Sequence, residues 1–400
     1  MTATLFRNFS PEMTMSNAPS EFPEPQPVTV VNTERQIASI RFSPCGRFLF
    51  AAGRDAKIHR WDVSPPEAPV DAPVAAVAQT ESKTTEDAKL SEPVFPELPP
   101  LSGHDGWVST FAFHPQGERL FSADSWGRLI CWRYTDEAPA PLWNIAEAHD
   151  GWIRQLAVSP DGSQLATCGM DGRIRLWSTE DGSKQNEFGA AGGDVFSLAF
   201  HPDGKSLVTG DLMGIITHWD LAEAKPVREF DAKIFHKLSY IQDVGGVRWL
   251  AFDAEGKTLA AAGGQPENGG FVQAVPTLRF INWTDGTEIQ TLKLGENQDG
   301  FVHEVAFHPH GFWIGVCSGQ PGRGKYFLHR AGEEQPFFTN NKPLQNCHSL
   351  ALHPNGARFA VISNAGTYGQ KKSMAREGDY PGNTSPINLF DLVLPTAQDV

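Results

Sequence analysis

Between Ile153 and Trp177 the chain alternates in three short runs separated by two tight turns. Ile153 to Val158 reads as a strand that ends at Ser159-Pro160-Asp161-Gly162, where proline presets φ and glycine supplies the positive-φ position. Gln164 to Cys168 reads as a second strand. Asp171-Gly172 is a two-residue hairpin signal, and Arg173 to Trp177 follows with Ile174 and Leu176 on one face. Such a meander cannot bury both faces alone, so it implies neighbours. The turn recurs at Ser43, His114, His201, Asp253, His308 and His353, which makes seven copies with the template. One residue before it stand Phe42, Phe113, Val158, Phe200, Phe252, Phe307 and Leu352. Three before stand Ile40, Phe111, Leu156, Leu198, Leu250, Val305 and Leu350. Two before, six of the seven are alanine and the first is Arg41. Apolar residues on one face and small ones on the other describe a strand held between two sheets. Self-similarity at this spacing means a repeat architecture.

These residues resemble the WD40 repeat. The third copy carries the pattern most fully, with His149 in the Gly-His slot, Asp171 in the turn and Trp177 closing the third strand. The second has Gly103-His104 and Trp132, and Trp61-Asp62 and Trp219-Asp220 are literal WD pairs. The phrasing His-Asp-Gly-Trp and Pro-Asp-Gly is similar to that of bacterial WD40 proteins. The resemblance implies an all-β fold: a seven-bladed β-propeller of four-stranded antiparallel blades. It also implies a buried network of His, Ser/Thr, Asp and Trp, drawn here from His104, Trp132, His149, Thr167, Asp171, Trp177, Asp55, Trp61 and Trp219. The pattern weakens in the last three copies, where Ile281, about Leu328, and Phe390 take the tryptophan slot. Trp126 and Met213 occupy the aspartate slot of blades 2 and 4, and these blades are expected to lack the network.

Residues 1–27, with Pro19, Pro23, Pro25 and Pro27 crowded together, are expected to be a disordered tail. Residues 28–395 form the propeller, and 396–400 a short C-terminal tail. The resemblance implies closure by an N-terminal strand, and Val28–Asn32 is placed to pair with Ile387–Leu392. An Ala/Pro/Glu/Thr segment at about 64–93 reads as a disordered insertion between the third and fourth strands of blade 1. Blades 2, 3 and 4 read as regular. In blades 5, 6 and 7 the second strand is expected to run into a glycine-rich loop on the top face: Gly263–Gly270, Ser318–Lys325 and Asn364–Pro386.

Two variable rings interrupt the apolar pattern. One slot holds Ala38, Ser109, Arg154, Phe196, Arg248, His303 and His348, and reads as the lining of the central channel. Arg154, Arg248, His303 and His348 could hold an anion there or, less favourably, a metal. The residue two positions earlier in each copy gives Gln36, Trp107, Trp152, Asp194, Gly246, Phe301 and Asn346. The resemblance puts this slot at the top rim, where Trp107, Trp152 and Phe301, with Trp126 nearby, suit a partner hot spot. The alternative is that these rings pack on the neighbouring blade. Gly319 to Lys325 fits G-x-x-x-x-G-K, but Tyr326 stands where Ser or Thr must hold Mg²⁺ and a strand follows, so it is no phosphate loop. There is no nucleophile elbow and no H-E-x-x-H.

Composition then narrows the classes. The formal net charge is −14, with seven acidic and two basic side chains in residues 64–100 alone. That leaves no basic footprint for nucleic acid or an anionic membrane. Five scattered cysteines without a CxxC pattern fit reduced, mostly buried thiols in a cytoplasmic protein. The reading is therefore a monomeric, non-enzymatic scaffold that needs no cofactor and presents its top face to another protein or peptide. The alternatives are a lactonase- or hydrolase-like propeller enzyme and an anion- or small-ligand-binding propeller.

Overall fold

The computed structural model describes residues 23–64, 95–189, 193–239, 242–267, 273–319, 323–340, 344–364 and 384–393. Seven four-stranded antiparallel sheets follow one another as the blades of a seven-bladed β-propeller. Each blade runs from an inner strand outward, as in Ile153–Val158, Gln164–Gly169, Arg173–Ser178 and Lys184–Gly189 of blade 3. The last sheet has the order Leu350–Leu352, Arg358–Ile362, Ile387–Val393, Glu24–Val31 read from the inside. Blade 7 thus takes its outer strand from the start of the chain, and the ring closes there.

The apolar core is divided into seven clusters, and each lies between two adjacent blades. Phe48, Phe50 and Ile58 of blade 1 meet Val108, Phe111, Leu120 and Trp132 of blade 2. Leu49 and Trp61 of blade 1 meet Ala360, Ile362 and Leu389 of blade 7. This is why both faces of the second strands are apolar: a blade is buried on both sides. The repeated turn adds a polar latch below this core. His201 Nε2 donates to Gly256 O (3.0 Å), His308 Nε2 to Gly356 O (2.8 Å) and His353 Nε2 to Gly46 O (3.0 Å), each from one blade to the next. The turn glycine is required. Gly256 sits at φ +68°, and a Cβ there would fall 2.3 Å from the His201 ring.

The His308 ring is built to be neutral. His308 Nε2 donates while its Nδ1 accepts the His310 N–H at 3.1 Å, so a second ring proton would face a donor. Burial lowers the His308 pKa from its ordinary value. The folded state then holds fewer protons than the unfolded chain below pH 6.5, so stability is full above that value and falls on acidification. We expect the melting temperature to drop by a few degrees between pH 7 and pH 5, and His308→Gln to flatten the slope. Equal slopes in the two proteins would show that the ring is not the titrating group.

Four expectations are corrected. The closing strand is Glu24–Val31 and starts inside the stretch read as a tail. Pro25 and Pro27 are two apart, so both missing N–H groups point to the same side. That side is the free edge of an outermost strand, where proline is tolerated. Blade 4 is followed by an addition: a 3₁₀ turn at Lys233–Phe235 and a hairpin of His236–Ser239 with Gln242–Gly245. Phe235 seats this addition in the core between blades 4 and 5. While Gly269 and Gly270 of blade 5 lie outside the described residues, Gly263 and Gly264 are strand and not loop, because Thr258–Pro266 pairs with Ala274–Asn282 through them. They are small because neighbours press on them: a Cβ at Gly264 would lie 2.7 Å from Gly300 O and from the Phe301 ring. In blade 6 the tryptophan slot holds His329, paired with Trp313, one residue beyond the expected Leu328.

Ile281 and Phe390 are buried in the slots expected of them. The insertion and tails, expected at 64–93, 1–27 and 396–400, lie outside the described residues apart from Ser64 and Pro23–Pro27. So do most of the blade 7 loop and residues 320–322 of the blade 6 loop. All five cysteines are free, and four are buried.

Candidate functional site: the channel mouth and top rim

Five of the seven inner strands carry one irregularity in common. Their pairing with the second strand skips a residue between Ile37 and Ser39, Val108 and Thr110, Ile153 and Gln155, Val195 and Ser197, and Val302 and Glu304. The skipped residues are Ala38, Ser109, Arg154, Phe196 and His303. A bulge leaves its extra residue unpaired and turns the side chain away from the ladder. Here it turns them to the channel. All five, with Arg248 and His348 from blades 5 and 7, line one cavity of 230 Å³ at the mouth. The structure thus brings together the whole ring that the sequence pattern singles out.

Aromatic rings and guanidinium groups alternate around this mouth. Arg54 lies over Trp107 (5.0 Å), Trp107 meets Trp152 edge to face (6.1 Å), and Arg154 lies over Trp152 (4.9 Å) and Phe196 (5.1 Å). Arg248 lies over Phe196 (5.0 Å) and Phe301 (4.7 Å). Arg154 is held by Asp194 through a fork of 3.2 and 2.7 Å. His303 Nε2 donates to Ser318 O (3.1 Å), and His348 places its two nitrogens 2.8 Å from Ile37 O and 2.9 Å from Asn346 O. Burial, then the charges of Arg248 and His348, push His303 down to about 3. Neither imidazole meets a carboxylate among the described residues. No group of three or more His, Cys, Asp or Glu is arranged there to hold a metal ion.

One level deeper the channel narrows to about 100 Å³. Here Glu304 accepts from Ser349 Oγ (2.8 Å) and Leu350 N (3.0 Å), and Arg41 reaches its other oxygen at 2.8 Å. Gln155 Oε1 likewise accepts from Leu198 N (3.0 Å), and Ser349 Oγ from Ile40 N (3.2 Å), so this level ties the inner strands of blades 3 and 4, 6 and 7, and 7 and 1. Sequence reasoning passed over this ring. Its one signal was Arg41, the exception in a column of alanines.

On the rim, Trp107 is 47% exposed and Trp126 68% exposed, while Trp152 and Phe301 are half-buried. Phe301 packs on Arg248 and the glycines of blade 5. Trp107 and Trp152 immediately precede the inner strands of blades 2 and 3. Trp126 and Met170, the latter 51% exposed, lie in the hairpin turns of the same two blades. Ser125 N donates to Trp107 O and Met170 N to Trp152 O, which fixes the turns beside the strand starts. Trp126, Glu147, Asp150 and Lys184 line a groove of about 590 Å³ between these blades.

The buried network stands behind this patch. In blade 3 Trp177 Nε1 donates to Thr167 Oγ1 (2.8 Å), the hydroxyl meets His149 Nε2 (2.7 Å), and His149 Nδ1 meets Asp171 Oδ1 (3.0 Å). Indole only donates and carboxylate only accepts, so the protons run one way from Trp177 to Asp171. Burial works to raise the Asp171 carboxyl, but hydrogen bonds from His149 and Arg175 outweigh it and hold the group below the usual range.

Blade 2 has the same network, contrary to expectation: Trp132 to Ser122 (2.8 Å), Ser122 to His104 (2.7 Å), His104 to Asp124 (2.9 Å). Asp124 supplies the acid from two residues before Trp126. It also accepts the turn N–H groups of Trp126 and Arg128, which leaves the Trp126 side chain outside. Blade 4 keeps only Trp219 to Thr209 (2.9 Å). In blade 1 Ala51 replaces the hydroxyl and pairs with His59, which meets Asp55 at 2.9 Å; Trp61 is buried without that chain.

The comparisons agree with this geometry. The family described as WD domain, G-beta repeat matches residues 26–62, 96–133, 141–178 and 182–220, the four copies that close with tryptophan. Among curated proteins, the chain is similar to the nuclear distribution protein PAC1 of Arthroderma otae. The identity is 31%, covering 24% of this chain and 28% of that protein. The proteins of the same name from Arthroderma benhamiae and Trichophyton verrucosum match at 28% identity with the same coverage. The chain spans little more than a quarter of the length of these relatives. No helix among the described residues is long and apolar enough to cross a membrane.

Proposed function

Since this chain is a WD40-repeat β-propeller, we propose that it is an interaction scaffold whose top face, over blades 2 and 3, docks another protein or peptide. The observation that carries the proposal is the grouping of Trp107, Trp126 and Met170, 47%, 68% and 51% exposed, on adjoining turns of two blades. Most other exposed large apolar residues, such as Val30, Leu142, Val227 and Ile289, are scattered singly on outer strands. Scattered residues need no explanation, but a patch of large rings on a rigid surface does. Tryptophan buries much area at little entropy cost and dominates interface energies. The acidic balance of the chain argues against nucleic acid as the partner. Half-buried Trp152 would support the patch from beneath, and Phe301 packs on Arg248 instead.

A Trp107→Ser/Trp126→Ser variant tests the reading. Trp126 is largely solvent-facing and Trp107 about half so, neither in the core, so the melting temperature should change little. The partner that wild type captures under native conditions should bind the variant at least about 30-fold more weakly, since one hot-spot ring is worth about 2 kcal/mol or more. An unchanged affinity would make these rings incidental and move attention to the hairpin His236–Gly245, whose Leu238 is 62% exposed.

A further inference from the structure

The channel mouth carries a second feature beside the tryptophan patch, with which it shares Trp107 and Trp152. Three guanidinium groups, of Arg54, Arg154 and Arg248, border the 230 Å³ cavity. Asp194 answers Arg154 with two hydrogen bonds. Arg54 reaches only the Gln36 amide oxygen, at 3.1 Å. Arg248 meets no carboxylate and no hydrogen-bond acceptor among the described residues, and its Nε is buried without a partner. The faces of Phe196 and Phe301 flank it at 5.0 and 4.7 Å. Cation–π contact offsets part of the cost of burying a guanidinium, but a ring face takes up none of its five in-plane N–H donors. A buried donor left unmade costs more than a typical hydrogen bond returns. Burial and the neighbouring Arg154 bring Arg248 down to about 10, which still leaves it cationic at neutral pH.

We infer that Arg248 anchors a site for one carboxylate or phosphate group carried on a flat or apolar body. The guanidinium fork matches two oxygens of either group. Phe196, Trp152 and Trp107 supply walls that a bare inorganic ion would not use. The cavity is smaller than the roughly 300–1,000 Å³ of drug-sized sites, so it takes a group of about the size of benzoate or phenyl phosphate. Below it, Glu304 is engaged by Arg41, Ser349 and Leu350 and does not compete for Arg248.

The test titrates the full chain with benzoate, phenyl phosphate and, as the uncharged analogue, benzamide, at constant ionic strength in chloride, read by calorimetry and by melting temperature. Benzoate or phenyl phosphate should bind and raise the melting temperature, and benzamide should not. Arg248→Gln should weaken the anion roughly 10- to 100-fold, the usual worth of a hydrogen bond to a charged group. Arg54→Gln, at the rim and free of any core contact, should weaken it less, and it carries the test if Arg248→Gln does not fold. A pentapeptide of four alanines and a terminal phenylalanine separates two sources of the same chemistry. Tighter binding than benzoate, lost on amidating the terminus, assigns the end of a partner chain, whereas benzoate binding alone assigns a free small anion. Either supports the site. It is overturned if no anion binds wild type, if benzamide binds as well as benzoate, or if both arginine variants bind like wild type.

Discussion

A chain that begins at Glu34 should melt more than about 10 °C below one that begins at Pro23, a loss of about 8 kcal/mol for a protein of this size. The difference between them is the closing strand. Glu24–Val31 pairs with Ile387–Val393 from Glu24↔Val393 to Val31↔Ile387. It covers the outer edge of blade 7, and Val28 and Val31 pack on the core shared by blades 7 and 1. Removing it exposes those apolar groups and a full ladder of N–H and C=O groups on an edge that would recruit other chains. The residues just after the strand add to the clasp: Thr33 Oγ1 donates to Ser385 O (2.8 Å), and Ser385 Oγ accepts Ile37 N (3.0 Å). The two truncated chains are compared by calorimetry and by light scattering. Equal melting temperatures would mean that blades 1 and 7 hold the ring by their shared core alone.

Thr167→Val should destabilise the fold by about 2–4 kcal/mol while changing almost no volume. The substitution removes one hydroxyl that is fully buried and serves two partners, the Trp177 indole and the His149 ring. Each is left buried with an unmet polar atom, at about 1–3 kcal/mol apiece. Thr167→Ser keeps the oxygen and should lose far less. If Val and Ser variants melt together, packing rather than the hydrogen-bond chain sets the stability of blade 3. Blade 1 explains why the effect belongs to the chain and not to the slot. There the slot is Ala51, the histidine stands on the third strand as His59, and it meets Asp55 directly, so no hydroxyl is demanded.

Much of this was legible because a propeller repeats its physics seven times. The period of the turn, the apolar columns and the alanine column are local, and each is seen in copy after copy. The ring of Ala38, Ser109, Arg154, Phe196, Arg248, His303 and His348 could be read as channel-facing for the same reason: one slot varied in chemistry while its neighbours did not. The blade 2 network was misread because an aspartate was sought in one turn position, while Asp124 reaches the same histidine from the end of the strand. Gly263 and Gly264 were misread because glycine signals a loop in sequence. Here it marks places where Phe301, Phe235 and the Gly300 backbone crowd against a strand.

By itself the sequence determined the number of blades, the order of strands within them and the residues that face the channel, since these follow from short-range alternation and repetition. Tertiary structure alone decided which partners those residues have. Arg154 is neutralised by Asp194, 40 residues away, whereas Arg248 is left with ring faces and no acceptor among the described residues. Arg41 crosses to Glu304 from the opposite end of the chain. Pro25 and Pro27 become a strand because the last blade offers them an edge. Such pairings depend on how the ring closes, and closure joins residues more than 350 positions apart, beyond the reach of any local pattern.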